Sequence, residues 1–137
     1  MRGLMISGHG QFASGMLDAL HKIMGEPACC AAVRFDTSRD ETEFEMCLRE
    51  AVEKFCECDQ ILIACDLCGG TPYKTAVKLS FEDERLLVIG GVNLPVLIEL
   101  ALAKDREEAL LVSEILTAGK ESLSYFEYME FDDEDEE

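Results

Sequence analysis

Apolar positions along the chain fall into two kinds of run. Gly3-Leu4-Met5-Ile6, Cys29-Cys30-Ala31-Ala32-Val33, Ile61-Leu62-Ile63-Ala64-Cys65 and Leu86-Leu87-Val88-Ile89 are short, nearly continuous and bounded by polar or glycine-rich segments. That is the pattern of strands covered on both faces. Between them apolar residues recur at three and four, as in Phe12, Met16, Ala19, Leu20, Ile23 and Met24, and again in Phe44, Leu48, Ala51, Val52 and Phe55. This spacing predicts amphipathic helices over 11–24, stopped near Gly25 and Pro27, and over 41–55. Further helices are predicted over Tyr73 to Ser80, Val96 to Ala103 and Arg106 to Ala118, the last ended by Gly119. Strands are expected at Ala28 to Phe35 and Arg85 to Ile89, and Ser122 to Phe126 alternates weakly like an edge strand. Four strand-helix units with right-handed crossovers make an α/β fold, a doubly wound parallel sheet with helices on both faces.

At 137 residues the chain has the length of one domain that needs no metal or disulfide staple. We place that domain at residues 1–131 and expect an acidic, disordered tail at 132–137. No apolar run is long enough to span a bilayer and the first residues lack a secretory pattern, so a cytoplasmic location is expected. The net charge of −17 argues against nucleic acid as a partner, because phosphate backbones are bound by Lys and Arg.

The seven cysteines are an odd number, which speaks against a disulfide framework. Cys56-x-Cys58 and Cys65-x-x-Cys68 raise the alternative of a zinc or redox module. Against it, Cys65 falls in a strand and the other pair ends a different helix. No metal site is expected.

The chemistry points elsewhere, to three loops that follow predicted strands. Ser7-Gly8-His9-Gly10 follows the first, Asp66-Leu67-Cys68-Gly69-Gly70-Thr71-Pro72 the third, and Gly90-Gly91-Val92-Asn93-Leu94-Pro95 the fourth. Loops at the carboxyl ends of parallel strands are where open α/β sheets place ligands. His9 between two glycines could hold or pass a phosphoryl group, since residues without Cβ let an anion approach the backbone. Taken alone, the same three residues fit a helix-capping or core histidine equally well. His21, with no such surroundings, reads as an ordinary helix histidine. Asp66 brings a carboxylate to the same edge as His9, and Thr71 is read as an N-cap with Pro72 at the first helical position.

Together these loops resemble the enzyme IIA domain of the mannose family of the bacterial sugar phosphotransferase system, over about Met1 to Phe126. The resemblance implies that His9 is phosphorylated by the phosphocarrier HPr and passes the group to a IIB protein on a separate chain. It implies that Asp66 orients His9 and that Thr71 lies beside the phosphoryl group. It further implies an extra C-terminal antiparallel strand, here Lys120 to Phe126, exchanged in a homodimer, and an indirect association with a membrane permease. Cys68, Tyr73 and Lys74 depart from the residues common in the family.

On this reading Asp66 at Nδ1 leaves Nε2 as the nucleophile. Gly8, Gly10, Gly69 and Gly70 are expected to line the phosphoryl group, with amides of Gly69 and Gly70 and the Thr71 hydroxyl donating to its oxygens. No cofactor is called for, and no glycine loop has P-loop spacing. A regulatory subunit in which phosphorylated His9 only signals to a partner is the alternative use of the same site.

Overall fold

The computed structural model describes residues 1–38 and 40–128. Four strands alternate with helices: β1 (Arg2–His9), α1 (Phe12–Met24), β2 (Cys30–Phe35), α2 (Glu41–Glu53), β3 (Gln60–Cys65), α3 (Thr71–Ser80), β4 (Leu86–Ile89), α4 (Leu94–Lys104) and α5 (Val112–Glu121). All strand pairs are parallel, in the order β2-β1-β3-β4.

The period-two alternation of side chains sends successive residues of β1 and β3 to opposite faces of the sheet. Leu4, Ile6, Leu62 and Ala64 pack with Ala13 and Leu20 of α1, Leu97 and Leu100 of α4 and Ile115 of α5. Met5, Ile61, Ile63 and Cys65 pack on the other side with Phe44, Leu48 and Val52 of α2 and Ala76 and Leu79 of α3. Each fully buried Leu or Ile contributes about 1.5–3 kcal/mol, so the two central strands anchor both layers. Register follows from that burial, since a one-residue slip would exchange the two faces.

The strand order creates the site. From β1 the chain crosses to β2 on one side and returns to β3 on the other, so the connections diverge at the carboxyl ends of β1 and β3. Such a switch point opens a crevice at the sheet edge. β1 ends there with His9, and Asp66 follows directly on β3.

Several boundaries differ from expectation. α3 takes Thr71 and Pro72 into its first turn and leaves Gly70 as its N-cap. α4 starts at Leu94 because the Asn93 side chain accepts from the Val96 amide at 3.0 Å and caps it. α5 starts at Val112 rather than Arg106. The reason is a long-range clasp: the Arg2 guanidinium donates to the carbonyls of Ala103, Arg106 and Glu108 at 2.9, 2.9 and 2.6 Å, holding residues 106–108 against the foot of the sheet. Gly119 does not end α5 but lies buried within it, where a Cβ would overlap the Val96 side chain of α4.

The expected antiparallel strand is not seen. Lys120 and Glu121 belong to α5, and residues 123–128 form no strand. A strand exists only against a ladder partner, and none is offered to this segment by the described residues of the single chain. Leu123, Tyr125, Phe126 and Tyr128 are left exposed. The acidic tail expected at 132–137 lies outside the described residues. Among the described residues no helix is long and apolar enough to cross a membrane.

Candidate active site

Parallel pairing of Ser7 with Cys65 continues for one more residue, as the Asp66 amide donates to the Ser7 carbonyl at 3.2 Å. This sets the Asp66 side chain over Gly8, where the position of a Cβ would be 2.9 Å from Asp66 Cγ. From there one carboxylate oxygen, Oδ2, accepts the backbone N–H of His9 at 2.9 Å and faces His9 Nδ1, also at 2.9 Å. A carboxylate only accepts hydrogen bonds, so Nδ1 carries a proton, and in the neutral imidazole Nε2 then keeps its lone pair. Nε2 has no hydrogen-bond partner among the described residues, and the His9 side chain is 38 % exposed while that of Asp66 is 14 % exposed. The imidazole is therefore partly open to solvent while the carboxylate beside it is sheltered.

The other carboxylate oxygen, Oδ1, is buried and has no hydrogen-bond partner among the described residues. A buried acceptor left unpaired carries a desolvation cost of about 1–3 kcal/mol, so the carboxylate is not placed here for stability alone. Phe35, at the end of β2 and in register with His9, meets the imidazole edge-on with ring centroids 5.4 Å apart. Phe44 of α2 packs edge-on against Phe35 in turn. The imidazole thus has a firm wall behind it.

The glycines occupy distinct places. Gly10 (φ +56°) and Gly69 (φ +80°) adopt the left-handed conformation that shapes the two turns. The Gly10 amide donates to the Phe35 carbonyl at 2.9 Å and that of Gly70 to the Leu67 carbonyl at 3.1 Å, so the Gly70 amide is engaged within its own turn rather than turned toward His9. Gly70 approaches the imidazole closely through its Cα side. Free donors do lie next to it: the first-turn amides of α3 at Thr71 and Tyr73 have no intrahelical acceptor. The Thr71 hydroxyl sits 3.4 Å from Glu41 Oε1 across the gap between α3 and α2.

His9, Asp66, Gly70 and Thr71 are therefore neighbours at one edge, whereas His21 lies on the last turn of α1. Phe35 and Glu41 were not singled out from the sequence. Phe35 carried one usable signal, a lone aromatic ending a strand of small residues.

The cysteine pairs do not converge. Cys58 precedes β3 and Cys68 follows it, so the length of the strand, about 20 Å, separates them. Cys65 is buried in the sheet, and burial pushes its thiol up to about 12. Among the described residues no three His, Cys, Asp or Glu side chains cluster as metal ligands.

A family model described as "PTS system fructose IIA component" matches residues 3–116. The fructose-specific EIIA component of Bacillus subtilis (strain 168) is 33% identical over 105 residues, covering 77% of this chain and 72% of that protein. The sorbose-specific EIIA component of Klebsiella pneumoniae is 32% identical over 92 residues, covering 67% of each. Among solved structures, phosphotransferase system component EIIA from Streptococcus agalactiae superposes with a TM-score of 0.82 at 28% identity, over 91% of this chain and 97% of that one.

Proposed function

The chain belongs to the mannose family of IIA components of the bacterial sugar phosphotransferase system, and from that membership we propose that it is a phosphocarrier in which His9 accepts a phosphoryl group from phospho-HPr and passes it to a IIB component on a separate chain. The observation that carries this reading is the division of labour on one imidazole: Nδ1 is held on Asp66, while Nε2 has no hydrogen-bond partner among the described residues on a ring that is partly exposed.

In the forward step the N–P bond on the donor histidine of HPr breaks as the bond from phosphorus to His9 Nε2 forms. No proton need move on His9, because Nδ1–H is already in place. Positive charge that grows on the ring is met by the Asp66 carboxylate 2.9 Å away. The phosphoryl oxygens find donors in the free first-turn amides of α3 at Thr71 and Tyr73, favoured by the positive end of that helix. The Thr71 hydroxyl joins them once it turns from Glu41. Gly8, Gly10 and Gly69 shape the surroundings of the two groups. In the step to IIB the bond from Nε2 to phosphorus breaks as phosphorus bonds the acceptor group of IIB; the electron pair returns to Nε2, and His9 is left as a neutral ring with Nδ1–H still on Asp66.

The protein acts in the cytoplasm as a homodimer, and it reaches the membrane permease only through IIB. Labelling tests the central claim. Phospho-HPr carrying radioactive phosphate should leave an acid-labile phosphoryl group on the wild type and on His21→Ala, and none on His9→Ala. Equal labelling of His9→Ala would overturn it.

A further inference from the structure

We propose that Gly70 is a positioning residue for phosphoryl transfer: it is the missing side chain at Gly70, not its amide, that keeps the His9 ring on Asp66. The inference rests on His9 being the phosphoryl acceptor.

Three ordinary reasons for a glycine fail at this position. The backbone of Gly70 has φ −74° and ψ 170°, an extended conformation open to any residue, unlike Gly69 next to it. Its place at the N-cap of α3 would suit Ser, Thr, Asp or Asn better, since those side chains bond a first-turn amide and glycine makes no such bond here. Its own amide donates to the Leu67 carbonyl, so it is not held in reserve for an anion.

What remains is space. A Cβ at position 70 would lie 3.0 Å from His9 Cε1, with the Leu67 carbonyl oxygen at 3.4 Å and Leu67 Cβ at 3.5 Å. Carbon atoms in contact prefer about 3.5–4.0 Å, so the imidazole or the loop must give way. The loop side is closed by its own turn, through Gly70 N–H to Leu67 and Lys74 N–H to the Gly70 carbonyl at 2.9 Å. The ring is backed by Phe35 and held at Nδ1, and its free side is solvent. Pressure on Cε1, the carbon between the two nitrogens, therefore swings the ring outward and lengthens Nδ1 to Asp66. That loosens the tautomer and turns Nε2 away from the α3 amides together.

Gly70→Ser separates this role from a structural one. Serine supplies the missing cap hydroxyl, so the variant should melt no lower than wild type. Its His9 ring should still leave the single Nδ1–H form, read by ¹⁵N imidazole shifts, and its initial rate of labelling from phospho-HPr should fall about tenfold, as displaced reacting groups do. Gly70→Ala should show the same ring shift and rate loss without the cap. Wild-type ring shifts and rate in a folded Gly70→Ser protein would overturn the proposal. So would unfolding of both variants, because the glycine would then answer to the loop and not to the ring. The ring shifts are read without phosphate: if they move while wild type takes no label, the carrier reading falls and the seating of the ring stands.

Discussion

Asp66 holds His9 twice through a single oxygen, Oδ2, which accepts the backbone N–H and lies against Nδ1, each at 2.9 Å, while Oδ1 is buried with no partner among the described residues. The strand end and the ring are fixed by one atom. Asp66→Asn keeps the shape but removes the charge: the amide oxygen must take the place of Oδ2, because an NH₂ group there would face the His9 backbone N–H, so the tautomer is kept while the carboxylate that meets positive charge on the ring is lost. Transfer from phospho-HPr should fall by on the order of 10²–10³-fold, the scale of losing one group that stabilises charge in the transition state. Thermal melting should change little. Wild-type transfer in a folded Asp66→Asn protein would show that the carboxylate only completes the strand end.

The core of this arrangement was legible in the sequence for a physical reason. β3 is a continuous apolar run, and Asp66 directly after it sits at the sheet edge; β1 continues past its apolar stretch through buried Ser7 and Gly8 to His9, where the glycine that follows turns the chain. What local pattern could not carry was anything decided by distant contacts. Arg2 reaches across to residues 103–108 and so displaces the start of α5. Gly119 resembles a helix stop in sequence, yet it is spent on close packing with Val96. Thr71 resembles an N-cap, but the cap falls on Gly70, whose neighbour is the imidazole of another strand. The segment after Ser122 alternates like a strand and has no ladder partner among the described residues of its own chain.

Packing of α5 on α4 depends on Gly119. Gly119→Ala adds a methyl group where the Val96 side chain already lies, and Asn93 also bonds the Gly119 carbonyl at 3.0 Å. The variant should lose about 1–3 kcal/mol of stability, the usual cost of overpacking. Val96→Ala in the same chain should restore part of it. Denaturant unfolding of the single and double variants measures both effects; additive losses would contradict the contact.

Cysteine reactivity should follow burial. The Cys65 thiol is pushed up to about 12 by burial inside the sheet, which keeps it in the unreactive thiol form at neutral pH. Cys56 and Cys68 are exposed. Brief iodoacetamide treatment of the folded protein followed by mass spectrometry should find adducts on Cys56 and Cys68 and none on Cys65. Early modification of Cys65 would show that the β3 end opens.

Acid should weaken the turn before β4. Asp83 accepts from the Nε, Nη2 and backbone amide of Arg85 at 3.0, 2.7 and 3.1 Å, and this holds the carboxyl below its ordinary range. A carboxyl lowered in the folded state adds stability that is fully present above its unfolded pKa of about 4 and is lost as pH falls through the folded value. Asp83→Asn should therefore melt below wild type at neutral pH by an amount that stays constant down to about pH 5 and shrinks below about pH 4. A difference independent of pH across that window would mean the ion pair contributes nothing.

Assembly is the remaining expectation, and the exposed end of the chain argues for it. Leu123, Tyr125, Phe126 and Tyr128 are each more than three-quarters exposed, within a few residues of one another. Apolar side chains grouped this closely mark an interaction surface rather than ordinary scatter. Asn93, in the loop after β4, bonds both the Gly119 carbonyl and the Ser122 hydroxyl, so the segment departs from the carboxyl side of the sheet. A second copy, related by a two-fold axis, could offer its sheet edge as the missing ladder and bury these rings at the same time. Sedimentation at micromolar concentration should give a dimer for the full chain. Truncation after Ser122 should give a folded monomer, whereas truncation after Phe131 should leave the dimer intact. A full-length monomer would refute the exchange, and a dimer surviving the shorter truncation would move the interface onto the helices.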